Sequence, residues 1–69
     1  MKFDIYGRYV IDLVRAEDNW IAFRLDGNGR RRLHDLVVPP DLPDTDLATY
    51  LDDLLHEQSP IGGRVRRLD

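Results

Sequence analysis

The stretch KFDIYGRYVIDLVRAEDNWIAFRLD, residues 2–26, decides the fold, because apolar and polar side chains alternate along most of its length. A period of two is typical of a β-strand with one buried face. Gly7 interrupts the pattern, and a glycine inside a strand marks a bulge or a bend. Residues 2–15 therefore predict a strand that kinks at Gly7 into two segments. Its core-facing side chains are Phe3, Ile5, Tyr9, Ile11 and Leu13.

Residues 19–26 repeat the alternation and predict the next strand, after a polar turn. The apolar faces set the expected register, since a slip of one residue would expose one of the two apolar sets. Leu13 then pairs with Ile21, and Ile11 pairs with Phe23, across a three-residue loop. The outer face of this hairpin is expected to carry a smaller apolar strip, formed by Tyr6, Val10, Val14, Trp20 and Ala22.

The segment Asp26-Gly27-Asn28-Gly29 predicts a turn, because glycine and asparagine tolerate positive φ. A third strand should follow through Leu33 and extend towards Val38, with a bulge near His34 and Asp35. Its register stays open at this point. A two-residue Asn28-Gly29 turn directs Arg32, His34, Leu36 and Val38 to the core, and a three-residue turn places Arg31, Leu33, Asp35 and Val37 there.

After Pro39-Pro40, the segment Asp41-Leu42-Pro43-Asp44 predicts a helix start, with Asp41 or Asp44 as the capping residue. The helix should end near Gln58, before Ser59-Pro60. Its apolar stripe follows helical spacing and consists of Leu47, Ala48, Leu51, Leu54 and Leu55.

The predicted fold class is α+β, a three-stranded antiparallel β-meander with one C-terminal amphipathic helix packed on one face (β-β-β-α). Residues 1–58 form the single domain. The basic tail, residues 59–69, is either flexible or adds a short strand to a sheet edge.

Composition narrows the class of protein. The chain has 69 residues, no cysteine and a net charge of −3, so disulfides and thiolate metal sites are excluded. No apolar run approaches the roughly 20 residues that cross a membrane, and the N-terminus lacks a signal-type run. We therefore expect a cytoplasmic protein with no membrane partner.

No catalytic, cofactor or metal residue is predicted. A catalytic triad built on Ser59 and His56 would also need an orienting acid and a pocket, and a chain this small has little room for a pocket. Asp52 and His56 share helical spacing, but a metal site needs a third ligand, and His34 would supply it only if the hairpin folded over the helix. The sequence therefore predicts a protein that is not an enzyme.

Two binding surfaces are predicted instead. The first is the outer strip, with candidate partner-binding residues Tyr6, Val10, Val14 and Trp20, which favours an interaction or adaptor module that pairs with itself or with another protein. The alternative is a nucleic-acid surface formed by Arg30, Arg31, Arg32, Arg64, Arg66 and Arg67. The acidic net charge disfavours the alternative, and strand alternation sends Arg31 to the face opposite Arg30 and Arg32.

Three segments carry a resemblance to a known family: MKFDIYGR (1–8), DLVVPPDL (35–42) and LATYLDDL (47–54). Together they resemble a family of very short proteobacterial proteins of unknown function. The resemblance covers nearly the whole chain. It implies a bacterial cytosolic protein and brings no activity with it.

Overall fold

Five antiparallel strands form one sheet in the computed structural model, which describes residues 1–58 and 61–69. The spatial order is β4-β3-β2-β1-β5. The α+β class and the antiparallel sheet are thereby confirmed, and three strands was too low a count. The elements are β1 (Lys2–Ile5), β2 (Tyr9–Ala16), β3 (Asn19–Asp26), β4 (Gly29–Arg32), α1 (Leu47–Leu55) and β5 (Val65–Arg67), with 3₁₀ turns at Asp44–Asp46 and His56–Gln58.

The kinked strand predicted for residues 2–15 is a hairpin of β1 and β2. Tyr6 and Gly7 both have positive φ, 56° and 72°, and the Arg8 amide donates to the Ile5 carbonyl over 2.9 Å. Gly7 adopts this conformation without a steric cost, so the chain reverses here instead of bending. Because Ile5 pairs with Tyr9, the apolar alternation continues through the turn on one face.

The register between β2 and β3 differs from the predicted one by one residue. Leu13 pairs with Ala22 and Ile11 pairs with Arg24, so the prediction that they pair with Ile21 and Phe23 is wrong. The connection is a two-residue turn between Ala16 and Asn19, with Glu17 at a φ of 54°. A shift of one residue sends every β3 side chain to the other face of the sheet.

The third predicted strand is β4, and it ends at Arg32. Asp26 pairs with Gly29, and Arg24 pairs with Arg31, so the turn contains Gly27 and Asn28. Neither expected turn is correct, although Arg31 is on the inner face as the three-residue turn would have placed it. Leu33 adds one hydrogen bond from its amide to the Ala22 carbonyl, and the chain then turns at His34 and Asp35, where a bulge was expected. The strand therefore does not continue to Val38.

One face of the sheet, called here the inner face, holds the core. Its buried side chains are Phe3, Ile5, Ile11, Leu13 and Ala22, which form one cluster with Tyr6, Val38, Leu47 and Leu51. Helix α1 lies against this face because Leu47 and Leu51, one turn apart, are fully buried. Leu54 was expected in the same stripe but is 46% exposed.

The helix begins later than predicted, at Leu47. Pro43 precedes the 3₁₀ turn Asp44–Asp46, and Asp46 precedes α1. Neither residue makes a side-chain capping hydrogen bond. Asp41 and Asp44 were expected to cap the helix, and neither occupies the capping position.

The C-terminal tail contributes β5 to the sheet. Phe3 pairs with Arg67 and Ile5 pairs with Val65, and this pairing places β5 beside β1. Val65 packs against the core, so the strand has an inner-face anchor. The helix was expected to end near Gln58, and α1 ends at Leu55, followed by the 3₁₀ turn His56–Gln58. The stop predicted at Ser59-Pro60, and the domain boundary placed there, lie outside the described residues.

The register between β2 and β3 can be tested by paired substitutions. Ala22 is buried on the inner face, whereas Phe23 is half-buried on the other face. Ala22→Asp should therefore lower the free energy of unfolding by about 3 kcal/mol or more, because it buries a charge without a partner. Phe23→Thr should cost about 1–2 kcal/mol, since threonine suits a half-exposed strand position.

Urea unfolding followed by circular dichroism measures both values. The reverse order of costs would support the register with Ile21 and Phe23 facing the core.

Candidate functional site

The second face of the sheet, called here the outer face, is apolar at its centre. Pairings of Val10 with Leu25 and of Val14 with Ile21 place these side chains together, and Phe23 lies between Ile21 and Leu25 on β3. All five are half-buried. The outer patch is defined as these residues: Val10, Val14, Ile21, Phe23 and Leu25.

The described part of the chain packs its helix and its long connection on the inner face. Val38 belongs to the buried cluster, and Leu33, Leu36 and Leu42 pack against it. None of the five outer-patch residues is in the buried cluster or among the side chains packed against it. The sheet is therefore one layer of a fold whose second layer covers only the inner face, which leaves the outer patch towards solvent.

Basic side chains flank the outer patch at both sheet edges. Arg30 pairs with Leu25 and Arg32 pairs with Phe23 on edge strand β4. On edge strand β5, Arg66 pairs with Asp4, so it also lies on this face, and Lys2 follows on β1. The guanidinium carbon of Arg30 lies 3.7 Å from the centre of the Phe23 ring, which is a cation–π contact.

The two acidic residues of the outer face are already engaged within the chain. Asp4 accepts a hydrogen bond from the Gly7 amide over 3.1 Å and lies 4.0 Å from the Arg66 guanidinium. Asp12 lies 3.3 Å from the Met1 ammonium group, and only 14% of its side chain is exposed. Four basic side chains, Lys2, Arg30, Arg32 and Arg66, outnumber these two acids, so the face is positive, although the whole chain has a net charge of −3.

Two of the four candidate partner-binding residues of the predicted outer strip lie elsewhere. Val10 and Val14 are on the outer face, but Tyr6 is buried in the core cluster, and Trp20 packs against that cluster from the inner face. The register shift explains the position of Trp20. It pairs with Arg15 and lies on the inner face, the same face as the Leu13–Ala22 pair. The shift also moves Ala22, expected in the outer strip, into the core.

Tyr6 ties the β1–β2 turn to the helix. Its hydroxyl donates a hydrogen bond of 2.6 Å to the Asp52 carboxylate, and its ring is 7% exposed. Burial, followed by the hydrogen bond to Asp52, raises the pKa of Tyr6 to about 12. Positive φ is unfavourable for a bulky residue, so the packing and this hydrogen bond hold the turn in its conformation.

The six arginines predicted as a nucleic-acid surface do not form one patch. Arg30 and Arg32 lie on β4, and Arg66 and Arg67 lie on β5, which is four strand spacings away, about 19 Å. Arg31 pairs with Arg24 on the inner face, as strand alternation required. Arg67 lies near acids, 3.9 Å from Asp44 and 3.7 Å from Asp69. Arg64 is exposed, and its carbonyl accepts a hydrogen bond from the Tyr6 amide.

Two of the residues weighed as metal ligands, Asp52 and His56, already make contacts within the chain. Asp52 accepts the Tyr6 hydroxyl, and His56 contacts the Asp53 carbonyl over 3.1 Å. His34 lies in the turn after β4. In residues 1–58 and 61–69, no group of three or more His, Asp or Glu side chains is placed to hold a metal ion. Over the same residues, no helix has both the length and the apolar content needed to span a membrane.

Sequence reasoning missed three of the five outer-patch residues, Ile21, Phe23 and Leu25. A signal was present, because Val10 and Val14 already marked the opposite face of β2 as apolar. With apolar residues on both faces of both strands, burial alone does not decide the register.

The chain belongs to the family described as Domain of unknown function (DUF7661), whose model matches residues 1–69. No curated protein and no solved structure matches the chain. The predicted membership of a family of unknown function is therefore confirmed.

The raised pKa of Tyr6 predicts a specific dependence of stability on pH. Above pH 10 the unfolded chain releases the Tyr6 proton, whereas the folded chain retains it up to a pH of about 12. The stabilisation is thus fully present below pH 10 and is lost as the pH rises from 10 to about 12. Tyr6→Phe should be less stable than wild type by about 1 kcal/mol below this window, and should fall less steeply within it.

Urea unfolding at several pH values measures this difference. Tyr50→Phe is the matched control, because it also removes one phenol hydrogen bond, to the Val37 carbonyl over 2.8 Å, but leaves Tyr6 in place. It should still show the fall in stability that the Tyr6 phenol causes. Equal slopes for wild type and Tyr6→Phe would show that the Tyr6 phenol does not cause the fall.

Proposed function

We propose that this chain is a non-enzymatic protein-interaction module that binds another protein through its outer face. The partner surface has an apolar centre and an acidic rim. The observation that carries the proposal is the outer patch: five apolar side chains lie together on a sheet face that the described helix and connection leave unpacked. Apolar patches of this kind with a polar rim mark binding surfaces.

The composition of the outer patch favours a protein over a nucleic acid. Four of its five side chains are aliphatic, and these offer no stacking plane to a base. The fifth, Phe23, has its ring contacted by the Arg30 guanidinium. A nucleic-acid platform needs aromatic faces and a continuous basic path, whereas the arginines here are divided between the two edges of the sheet.

The charges around the outer patch favour a different protein over a second copy of the chain. In a two-fold dimer of aligned, face-to-face sheets, each edge strand lies over an edge strand of the other copy. Both edge strands carry outer-face arginines, Arg30 and Arg32 on β4 and Arg66 on β5. A second copy would therefore bring like charges together, while an acidic rim would pair with them.

The proposal predicts that a single outer-patch substitution abolishes complex formation. Leu25→Ser removes an apolar side chain from the patch, next to Val10 and Arg30. Wild type and variant, each immobilised, are exposed to a lysate of the native cells, and retained proteins are identified and purified. The affinity of the purified partner should fall by about tenfold or more in Leu25→Ser, as at other central apolar positions of interfaces.

Leu54→Ser is the matched control, because Leu54 is an exposed leucine on α1, on the other side of the sheet. It should bind like wild type. Arg30→Glu should weaken binding, and the loss should shrink at high salt because the pairing is electrostatic. Circular dichroism confirms that each variant is folded.

Three outcomes contradict the proposal. If Leu25→Ser and wild type retain the partner protein equally well, the outer patch is not the binding surface. A doubled mass in light scattering that Leu25→Ser abolishes would identify a second copy as the occupant. Binding of short oligonucleotides that Arg30→Glu and Arg66→Glu abolish would identify a nucleic-acid surface.

A further inference from the structure

The N-terminal half of β3 has an open edge. β4 pairs with residues 23–26 of β3 and ends at Arg32, and the Leu33 amide adds a bond to the Ala22 carbonyl. In an antiparallel ladder the amide and carbonyl of every second residue point to the same side. Those of Trp20 therefore point to the same side as the Ala22 carbonyl, where no described strand lies beside them.

A groove runs along this open edge. It has a volume of about 500 Å³. Strand β3 forms one wall with Trp20 and Ala22, and the connection after β4 forms the other wall with Leu36, Val37 and Val38. A strand edge that faces an apolar wall offers backbone hydrogen bonds and a side-chain pocket together, which are the two components of peptide recognition by strand addition.

The wall formed by the connection is held in place by hydrogen bonds from both layers of the fold. The Tyr50 hydroxyl on α1 donates to the Val37 carbonyl over 2.8 Å. The Arg15 guanidinium on β2 donates to the Pro40 carbonyl over 2.6 Å, and its central carbon lies 5.0 Å from the Trp20 ring. The groove is accordingly preformed, which lowers the ordering cost of binding.

The two ends of the groove carry opposite charges. Glu17 lines one end, at the β2–β3 turn, and Arg32 and His34 line the other. In the described part of the chain, neither Glu17 nor Arg32 has an ion-pair partner within 4.0 Å. The distance between Asn19 and Phe23 along β3 is about 13 Å, the length of about five extended residues.

We propose that this groove binds an extended peptide segment of a partner protein, which pairs with the β3 edge at Trp20. The peptide carries a basic residue at the Glu17 end, an acidic residue at the Arg32 end and an apolar residue between them. The groove shares Ile21 and Arg32 with the outer patch and its rim, but Val10, Val14, Phe23 and Leu25 do not line it, so either proposal can fail without the other.

Trp20 supplies a reporter for the test. It is the only tryptophan of the chain, so its indole N–H gives a single NMR signal. The indole nitrogen Nε1 is buried and has no hydrogen-bond partner among the described residues. A peptide in the groove should shift this signal together with the amide signals of residues 17–22 and 32–38.

The experiment selects peptides on the folded chain from a displayed library of random linear peptides of about ten residues, twice the length that the edge spans. Enriched peptides should carry opposite charges at their two ends. Arg32→Glu should weaken binding of an enriched peptide by about threefold to fivefold, because one exposed ion pair is lost. Replacing the acidic residue of that peptide by lysine should restore binding to Arg32→Glu.

Arg30→Glu is the matched control, since Arg30 lies on the same strand and the same face as Arg32 but does not line the groove. It should bind the peptide like wild type. Leu25→Ser should also bind it, which separates this site from the outer patch. The same peptide with alternate backbone amides N-methylated should lose binding, because strand pairing needs those donors.

The proposal is overturned if no peptide is enriched, or if enriched peptides shift the signals of Val10, Phe23 and Leu25 instead of those along the groove. It is also overturned if Arg32→Glu and Arg30→Glu bind equally well. Undiminished binding of the N-methylated peptide would exclude strand addition.

Discussion

The pairing of Leu13 with Ala22 is the constraint on which the rest of this structure depends. It places a small side chain, Ala22, in the core and sends Ile21, Phe23 and Leu25 to the outer face. The long connection can then lie on the inner face, where Val38 is 5% exposed in the same cluster as Ala22. A different register would put larger side chains where Val38 and the helix now pack.

That pairing explains why so small a protein has apolar residues on both sides of its sheet. One helix of nine residues covers the inner face, so a second apolar face has no packing partner within the described residues. The outer patch and the open edge of β3 are both left uncovered because the described residues form so few secondary-structure elements. The first offers an apolar surface with a basic rim, and the second offers backbone donors and acceptors beside a groove with oppositely charged ends.

The Tyr6–Asp52 hydrogen bond helps to hold the turn between β1 and β2 in its conformation. A tyrosine at positive φ is an unfavourable choice for a turn, and the conformation is retained because the ring is buried against the core. The same contact joins the first hairpin to α1, while β5 joins the tail to β1. Local strain in the turn is therefore offset by tertiary packing.

Much of the fold could be predicted from the sequence, and the failures have identifiable causes. Period-two alternation located the strands, and the leucine spacing located α1. The β1–β2 hairpin was read as one kinked strand because Ile5 pairs with Tyr9, so the alternation passes through the turn unchanged. Strand β4 was predicted, but not its end at Arg32. The strand ends there because Val38 enters the core and joins side chains of β1 and β2, which are distant from it in sequence.

The sequence by itself determined the α+β class, the presence of a turn within Asp26-Gly27-Asn28-Gly29, and the separation of Arg31 from Arg30 and Arg32, because these follow from local periodicity and local conformation. Only the tertiary structure decided which face of β3 is buried. Both of its faces carry apolar side chains, and the three-residue loop expected between β2 and β3 is a two-residue turn in the structure. The choice rested on the packing of Ala22 with Val38, and it moved the candidate binding surface from Tyr6 and Trp20 to Ile21, Phe23 and Leu25.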